Sequence, residues 1–488
     1  MKSNRPETTF SGSELCTRSA REVVGLLRKG DISPAELIDA SASRTQQVGG
    51  QVNAVVTTCH DRARGNISGL AALAALAALD ADHPGYLAGL PIGIKDLTAV
   101  AGVRTTKGTL GFADFVPEES DPIADNLEKR GGLIVGKTNT PEMGAGGNTF
   151  NAVFGETRNP WDTRKNAGGS SGGAAVSLAT GEVWLSHGSD LAGSLRTPAA
   201  YCGVVGMRAS AGRVLSGPGP IGFTVEGVQG PMARSVADCA LFLDAMSGFD
   251  ARAPLSLPAP DEPFQKAVET VNCNVRIAYA PTLGGFAPVE AELETIMQAA
   301  LAKLAAEGAQ VDEDCPSMDG LNDTYITLRG LVWAATAGRL PQEIQQHYKQ
   351  TLAENIEVGR NQTAEQVMDA NLNRTVLYQR MRVFLERYDV LATAVVGIEQ
   401  TPVGLEFPTG VDGQVMESYI DWLKFSYLAT TAGLPAISVP CGFTKSGMPV
   451  GIQLIGPPRG DAKVLAIAHA LEQVLDLGTS PIDPFVKH

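Results

Sequence analysis

The sequence predicts an α/β fold, a single large domain in which helices flank a central mixed β-sheet. Short apolar stretches such as Ile92–Ile94 and Leu133–Val135 alternate with glycine turns and with helical patterns such as Ile123–Lys129. This alternation is typical of a mixed or largely parallel sheet covered by helices. Hydrophobic residues make up 44% of the 488 residues, enough for a sizeable core. We therefore expect one domain over residues 1–488.

The N-terminal elements are predicted from periodicity and capping residues. Ala20 to Lys29 carries its apolar residues on one face, which indicates an amphipathic helix. In the helix that follows, Ser33 is a suitable N-cap, Pro34 fits the first helical position and Glu36 completes a capping box. The apolar run Val52 to Thr58 then predicts a strand.

The segment 314–428 is predicted to be more helical and to cap the pocket of the domain. It carries polar runs with scattered aromatic residues. Strand patterns return at Ala436–Pro440 and Val450–Ile455, and Ala462–Val474 is predicted to be the closing helix. No clear linker separates these parts, so we interpret the segment as a variable insertion in one domain.

Charge and hydropathy argue against several classes of partner. The chain holds 39 Lys and Arg against 53 Asp and Glu residues, a net charge of −14. Such a chain is a poor candidate for binding nucleic acid or an anionic membrane through its overall field. The longest apolar run, Leu70–Leu79, predicts a packing helix too short to span a bilayer. With a polar N-terminus that lacks a signal core, we expect a cytoplasmic protein.

The cysteines and histidines predict neither a disulfide framework nor a metal site. The seven cysteines are scattered and no pair has CxxC spacing. The six histidines are also dispersed, without an HxH or HExxH motif. We therefore expect no metal and no cofactor.

Two short motifs match known patterns without the structural context that those patterns need. Residues 131–138 fit the phosphate-binding pattern GxxxxGK[ST], but the strand-like Leu133–Val135 lies inside the motif, where the loop should be. Residues 169–173 fit the nucleophile elbow GxSxG with Ser171 as nucleophile, but residues 163–168 before it are turn-like instead of a strand. We predict neither site.

Three segments together indicate catalytic chemistry. Segment 89–96 contains a short apolar strand that ends at Lys95. Burial of a lysine lowers its pKa, and the neutral amine can then act as a base. Segment 168–173 places four glycines around two serines at the start of a helix, which permits close approach of other segments. Segment 188–198 is a turn of small residues after the strand Val183–His187, and its successive N–H groups suit a developing oxyanion.

These segments resemble the amidase signature family, serine hydrolases that use a Ser–cis-Ser–Lys triad. The spacings fit, since Lys95 precedes Ser170 by 75 residues and Ser170 precedes Ser194 by 24. Further motifs similar to those of the family are Gly136-Lys137-Thr138-Asn139, Thr157-Arg158-Asn159-Pro160-Trp161, Cys202-Gly203-Val204-Val205-Gly206, Gly230-Pro231-Met232-Ala233-Arg234-Ser235 and Gly447-Met448-Pro449-Val450-Gly451-Ile452-Gln453. The resemblance runs from about residue 15 to about residue 475 and is dense over the core 89–248.

The resemblance implies a role for each matched residue. Ser194 is the nucleophile, Ser170 relays the proton from a cis peptide bond, and Lys95 is the base. The remaining roles are an oxyanion hole of backbone N–H groups (Leu191, Ala192, Gly193 and Ser194) and supporting residues around the triad (Ser171, Asp190 and Arg196). The composition of the stretch from Met143 to Phe150, by itself, suggests a substrate pocket lined by Met143, Gly146, Gly147 and Phe150.

The resemblance also implies the reaction, the hydrolysis of carboxylic amides through an acyl-enzyme on Ser194, without a cofactor. Aromatic and methionine residues of 314–428 suggest aryl or bulky acyl amides, with carbamates and esters as further substrates. The alternative is the glutamine-hydrolysing amidase subunit of a tRNA-dependent amidotransferase. It should carry a charged clamp in 314–428, and no motif marks one among Arg329, Arg339 and Arg360. The expected partner is a small-molecule amide or carbamate, and a homodimer is one compatible assembly.

Overall fold

In this computed structural model, residues 5–75, 81–217 and 219–487 are described, and within them eleven strands form one mixed sheet. The strands are β1 (Val55–Thr58), β2 (Pro91–Lys95), β3 (Leu133–Thr138), β4 (Leu185–Asp190), β5 (Val205–Arg208), β6 (Val228–Ala233), β7 (Arg276–Tyr279), β8 (Gln310–Glu313), β9 (Val390–Ala394), β10 (Ala436–Phe443) and β11 (Pro449–Ile455). Their order across the sheet is β1-β3-β2-β4-β6-β5-β10-β11-β9-β7-β8.

Two blocks of the sheet are parallel. Strand β2 pairs in parallel with β3 and β4, and β7 pairs in parallel with β8 and β9. The other neighbouring pairs are antiparallel. The last residues of β2 and β4, Lys95 and Asp190, therefore lie at the same edge of the sheet, where parallel strands present their carboxyl ends.

Helices cover both faces of this sheet. They are α1 (Glu14–Thr17), α2 (Ala20–Lys29), α3 (Pro34–Val52), α4 (His60–Ala75), α5 (Pro122–Lys129), α6 (Gly172–Ala179), α7 (Arg196–Cys202), α8 (Val236–Met246), α9 (Ala291–Ala306), α10 (Leu321–Ala335), α11 (Gln342–Gln345), α12 (Gln350–Arg360), α13 (Ala364–Phe384), α14 (Tyr427–Thr431) and α15 (Asp461–Leu475). In β3, Ile134 belongs to the apolar cluster of α8 and α15, whereas Val135 belongs to the cluster of α6 and α7. The alternation along one strand shows that both faces are buried.

The predicted fold class is confirmed, and so are most of the elements that carried it. Helix α2 begins and ends where its periodicity indicates, and α3 begins with the predicted capping box of Ser33 and Glu36. Helix α6 begins at Gly172, two residues before the predicted Ala174. Residues 314–428 contain α10 to α13 and the first two residues of α14, as the more helical pattern indicates, although strand β9 also lies in this segment. Part of the apolar run Leu70–Leu79 lies outside the described residues, but α4 continues to Ala75.

Several strands of the sheet carry no clear sequence signal. Strands β5 and β6 are interrupted by Gly206 and Pro231, and β7, β8 and β9 are only four or five residues long. Short runs of this kind cannot be told from loops by periodicity. Among the described helices, none is both long and apolar enough to cross a membrane.

Glycine is required where α6 packs against the end of β3. A Cβ atom on Gly173 would lie 2.2 Å from the backbone nitrogen of Asn139 and 2.7 Å from the carbonyl oxygen of Ala54. Both contacts are with backbone that cannot rotate away. The glycine thus lets the helix that follows Ser170 and Ser171 approach the sheet closely.

Replacing Gly173 with alanine should lower the free energy of unfolding by about 3 kcal/mol, the upper end for an overpacked core. The control is Gly65→Ala on the exposed face of α4, where nothing lies within 4 Å of the added Cβ. That change should stabilise the protein by ~0.5–1 kcal/mol through helix propensity. Denaturant unfolding measures both variants. Equal stability of Gly173→Ala and the parent protein would contradict the packing described.

Candidate active site

Three serine hydroxyls surround the amine of Lys95. Its Nζ lies within hydrogen-bond distance of Ser170 Oγ at 2.7 Å, of Ser171 Oγ at 2.9 Å and of Ser189 Oγ at 3.0 Å. Strand β2 supplies the lysine, the turn before α6 supplies Ser170 and Ser171, and β4 supplies Ser189. The predicted pair Lys95 and Ser170 is therefore in direct contact. Ser189 is a third hydroxyl partner that sequence reasoning did not single out, although it lies in the segment 188–198.

Burial sets the protonation of Lys95. Its side chain is 0% exposed, and burial lowers the pKa of its ammonium group to about 7, while the nearby Asp190 carboxylate acts in the opposite direction. Hydroxyl groups can solvate either protonation state, so the lysine needs no fixed counter-ion in contact. Near neutral pH a large fraction of Lys95 is the free amine, which a general base requires.

The backbone joins Ser170, Ser171 and Ser194 into one unit. The Gly169–Ser170 peptide bond is cis, as the resemblance implies. The N–H of Ser171 donates to the carbonyl oxygen of Ser194 at 3.1 Å. Ser170 and Ser194 both line the same cavity.

A buried carboxylate holds the turn that carries Ser194. Asp190 Oδ1 accepts from the N–H of Gly193 at 3.0 Å, and its Oδ2 accepts from the N–H of Leu195 at 3.1 Å. Arg196 donates to both oxygens, at 2.9 and 3.0 Å, and Arg208 Nη1 lies 3.6 Å from Oδ1. These cations and N–H groups hold the pKa of Asp190 far below its usual range, although burial opposes them. The predicted support by Asp190 and Arg196 is thus an ion pair, to which Arg208 adds a partner that the sequence did not indicate.

This ion-pair network changes the expected set of oxyanion donors. The N–H of Gly193 is bound to Asp190, so Gly193 is removed from that set. Within the described chain, the N–H groups of Leu191, Ala192 and Ser194 have no protein acceptor. Three donors of the predicted four remain free at one turn.

The serines open into a cavity of about 470 Å³. It is lined by Leu97, Asp121, Pro122, Met143, Gly144, Gly146, Ser170, Ser189, Asp190, Leu191, Ala192, Ser194, Ser216, Gly217, Gly219, Gly227, Val228, Gln229, Arg329, Trp333, Tyr419 and Leu423. The predicted pocket residues Met143 and Gly146 are among them, whereas Gly147 and Phe150 are not. Gly147 packs instead against the indole of Trp422, which an added Cβ would meet at 2.3 Å. The Phe150 ring lies 5.4 Å from the Lys349 ammonium.

His187 is not placed to act as a base. It is fully buried in β4 and its ring Nε2 is hydrogen-bonded to the Gln229 side chain. Burial lowers the pKa of the imidazole to about 3. The imidazole is therefore packed within the sheet beside Gln229.

The two motifs that lacked the expected context have structural roles. Residues 133–138 are strand β3, so no phosphate-binding loop forms there. Lys137 of that motif is buried, with its Nζ 3.1 Å from Asp96 Oδ1 and 2.7 Å from Thr105 Oγ1. Ser171 is fully buried against Lys95. In the described part of the chain, no three His, Cys, Asp or Glu side chains group as a metal site would need.

Comparisons with known proteins extend over nearly the whole chain. A family model described as Amidase matches residues 36–465. An acylamidase of Rhodococcus erythropolis is 34% identical over 465 residues, which cover 93% of this chain and 95% of the relative. A glutamyl-tRNA(Gln) amidotransferase subunit of Synechococcus sp. (strain CC9605) is 33% identical over 478 residues, which cover 93% of this chain and 96% of the relative.

The fold agrees with the sequence comparisons. A solved bacterial aryl acylamidase, described as belonging to the amidase signature enzymes, superposes with a TM-score of 0.86 at 29% identity. The match covers 95% of this chain and 97% of that chain.

The substitution Asp190→Asn should destabilise the protein by about 3–5 kcal/mol, because it leaves the buried Arg196 and Arg208 without an anionic partner. Thermal unfolding measures the effect. The control Glu262→Gln removes an exposed ion pair with Lys266 and should leave the midpoint unchanged. A midpoint of Asp190→Asn within a degree of the parent protein would show that the carboxylate does not hold the turn.

Proposed function

The chain belongs to the amidase signature family, and on this premise we propose that it hydrolyses carboxylic amides through an acyl-enzyme on Ser194. The observation that carries the proposal is the contact between Lys95 Nζ and Ser170 Oγ at 2.7 Å, beside a cavity that Ser194 also lines. A neutral amine next to a hydroxyl relay is what an otherwise weak serine nucleophile needs.

In the proposed first step, neutral Lys95 accepts the proton of Ser170, and Ser170 accepts the proton of Ser194. The Ser194 oxygen forms a bond to the substrate carbonyl carbon, and the carbonyl electron pair moves to its oxygen. The N–H groups of Leu191, Ala192 and Ser194 stabilise this oxyanion. One such donor typically contributes about 3–4 kcal/mol to the transition state.

In the proposed second step, the carbon–nitrogen bond breaks as the proton returns through Ser170 to the leaving nitrogen. The amine departs and the acyl group stays on Ser194. A water molecule then loses a proton to the same relay and its oxygen forms a bond to the acyl carbon. The bond between that carbon and the Ser194 oxygen breaks as the relay returns the proton to Ser194, and the carboxylic acid is released. The base is regenerated within each half-reaction, so the proposed cycle needs no cofactor.

The cavity wall supports aryl or bulky acyl amides as substrates. Met143, Trp333, Tyr419 and Leu423 give one part of the wall an apolar and aromatic character, which is typical of small-molecule sites. The relatives named acylamidase and aryl acylamidase support the same class. Carbamates and esters would react by the same acyl transfer.

Glutamine hydrolysis within an amidotransferase is the second candidate function. It is favoured by the 33% identity to a glutamyl-tRNA(Gln) amidotransferase subunit over 93% of this chain. Ammonia release from glutamine by the isolated chain, with no turnover of anilides, would support it. Anilide hydrolysis with no glutaminase activity would exclude it in favour of the first proposal.

Ser194→Ala should lower kcat by at least about 10⁴-fold, since a triad acts as a unit. The assay is a hydrolysis panel of anilides, aliphatic amides, carbamates, esters and glutamine, together with labelling by a serine-directed acylating probe. The control is Ser177→Ala, which removes a buried hydroxyl of α6 that donates to Ala174 and should keep activity. Full turnover or labelling in Ser194→Ala would eliminate Ser194 as the nucleophile.

The rate of acylation should rise with pH through about 7 and level off above it. Burial places the pKa of Lys95 near 7, and the base works only in its neutral form, so activity falls about tenfold per pH unit below that value. Pre-steady-state acylation between pH 5 and 9 measures this. A flat acylation profile over that range would argue against a lysine base.

A further inference from the structure

A single arginine lies in the wall of the cavity. Arg329 comes from α10, and among the described residues that line the cavity it is the only cationic side chain. Its side chain is 3% exposed. It therefore places a buried positive charge in the same cavity as Ser170 and Ser194.

The guanidinium of Arg329 is under-satisfied in this structure. One of its terminal nitrogens donates to the Tyr419 hydroxyl, while its Nε–H has no acceptor among the described residues. The rings of Trp333 and Tyr419 each lie 5.5 Å from the guanidinium carbon. The Trp333 indole N–H is likewise buried without an acceptor. Two donors next to one cavity thus lack a partner.

Three other deeply buried arginines differ from Arg329 because they face a carboxylate. Arg44 and Arg196 each lie 2.9 Å from a carboxylate, and Arg208 lies 3.6 Å from one. Arg234 is also buried and forms no ion pair among the described residues, but it does not line this cavity and it donates to a backbone carbonyl oxygen. Within the described chain, Arg329 forms no ion pair of this kind. Because a buried charge without a counter-ion is unfavourable, the missing partner of Arg329 points to a ligand.

The carboxylates of the cavity wall are committed elsewhere. Asp190 is bound to Arg196 and to backbone N–H groups. Asp121 caps α5 by accepting from the N–H of Ile123 at 3.2 Å. Neither carboxylate forms an ion pair with Arg329, so a substrate anion would not have to displace an existing pair.

We propose that Arg329 binds a carboxylate of the substrate, so that the preferred substrates are amides carrying a carboxylate on the acyl or the amine part. The planar guanidinium fork matches two carboxylate oxygens, and the flanking rings of Trp333 and Tyr419 hold it in place. This inference rests on the proposed amide hydrolysis, for which it names the substrate class. A carboxylate at Arg329 and a scissile carbonyl at Ser194 would share one cavity.

The test compares charged and neutral anilides of matched shape. On the acyl side, the monoanilides of malonic, succinic and glutaric acid are paired with propionanilide, butyranilide and valeranilide. On the amine side, 4-acetamidobenzoate is paired with 4-acetamidotoluene. In the parent protein, kcat/KM for the best charged member should exceed that of its neutral counterpart at least about 10-fold, as expected for hydrogen bonds to a charged group.

Arg329→Gln should reduce this charged-to-neutral ratio at least about 10-fold. Arg329→Lys, which keeps the charge but loses the fork, should give an intermediate ratio. The matched control is Arg360→Gln, an exposed arginine paired with Glu357 outside the cavity, which should keep the parent ratio. No charged preference in the parent protein, or an equal loss for both members of each pair in Arg329→Gln, would overturn the inference.

Binding to Ser194→Ala, measured by calorimetry with the same anilides, separates this inference from the proposed function. Tighter binding of the charged member, lost in the double variant with Arg329→Gln, would support Arg329 even if the parent protein hydrolyses none of the anilides. In that case only the proposed reaction would fail. Hydrolysis of neutral anilides with no charged preference in turnover or binding would leave the reaction standing and refute the carboxylate site.

Discussion

The Asp190 carboxylate is the interaction on which the arrangement of the site depends. It fixes the turn that carries Ser194 through two backbone N–H groups, and it neutralises two buried guanidiniums that would otherwise have no anionic partner. Its negative charge also acts on Lys95, against the effect of burial on that pKa. The Asp190 carboxylate therefore affects both the geometry of the turn and the protonation of the proposed base.

The sheet determines why these groups meet. Strands β2 and β4 are parallel neighbours, so the chain leaves both at the same edge, with Lys95 ending one and Asp190 ending the other. The turn before α6 then brings Ser170 and Ser171 over this edge. Glycines at 172 and 173 make the approach possible, because a Cβ at either position would meet an atom at less than 2.4 Å. A site of this kind needs close backbone packing as much as it needs reactive side chains.

The cavity separates chemistry from recognition. The proposed chemistry lies on residues from the central sheet and the two turns beside it, whereas Arg329, Trp333, Tyr419 and Leu423 come from the segment 314–428. Substitutions in that segment could therefore change substrate preference while the candidate triad and the ion pairs of Asp190 stay as they are. Within this part of the wall, the buried guanidinium of Arg329 is the group that selects most specifically, in our proposal for a carboxylate on the substrate.

The sequence by itself determined the fold class and the helices with clear caps, because period and capping are local properties. It also indicated the candidate triad of Lys95, Ser170 and Ser194, through the motifs that resemble the amidase signature family. Tertiary structure decided the rest. The strands β5 to β9 are too short or interrupted to show a period, and Ser189 and Arg208 act through partners that are close only in the folded chain. Gly193 matches the expected oxyanion turn in sequence, yet its N–H is bound to Asp190. Arg329 belongs to no sequence motif, and its charge is buried without a counter-ion only because α10 packs against the cavity. The sequence could not show this, because burial and ion pairing are properties of the assembled fold.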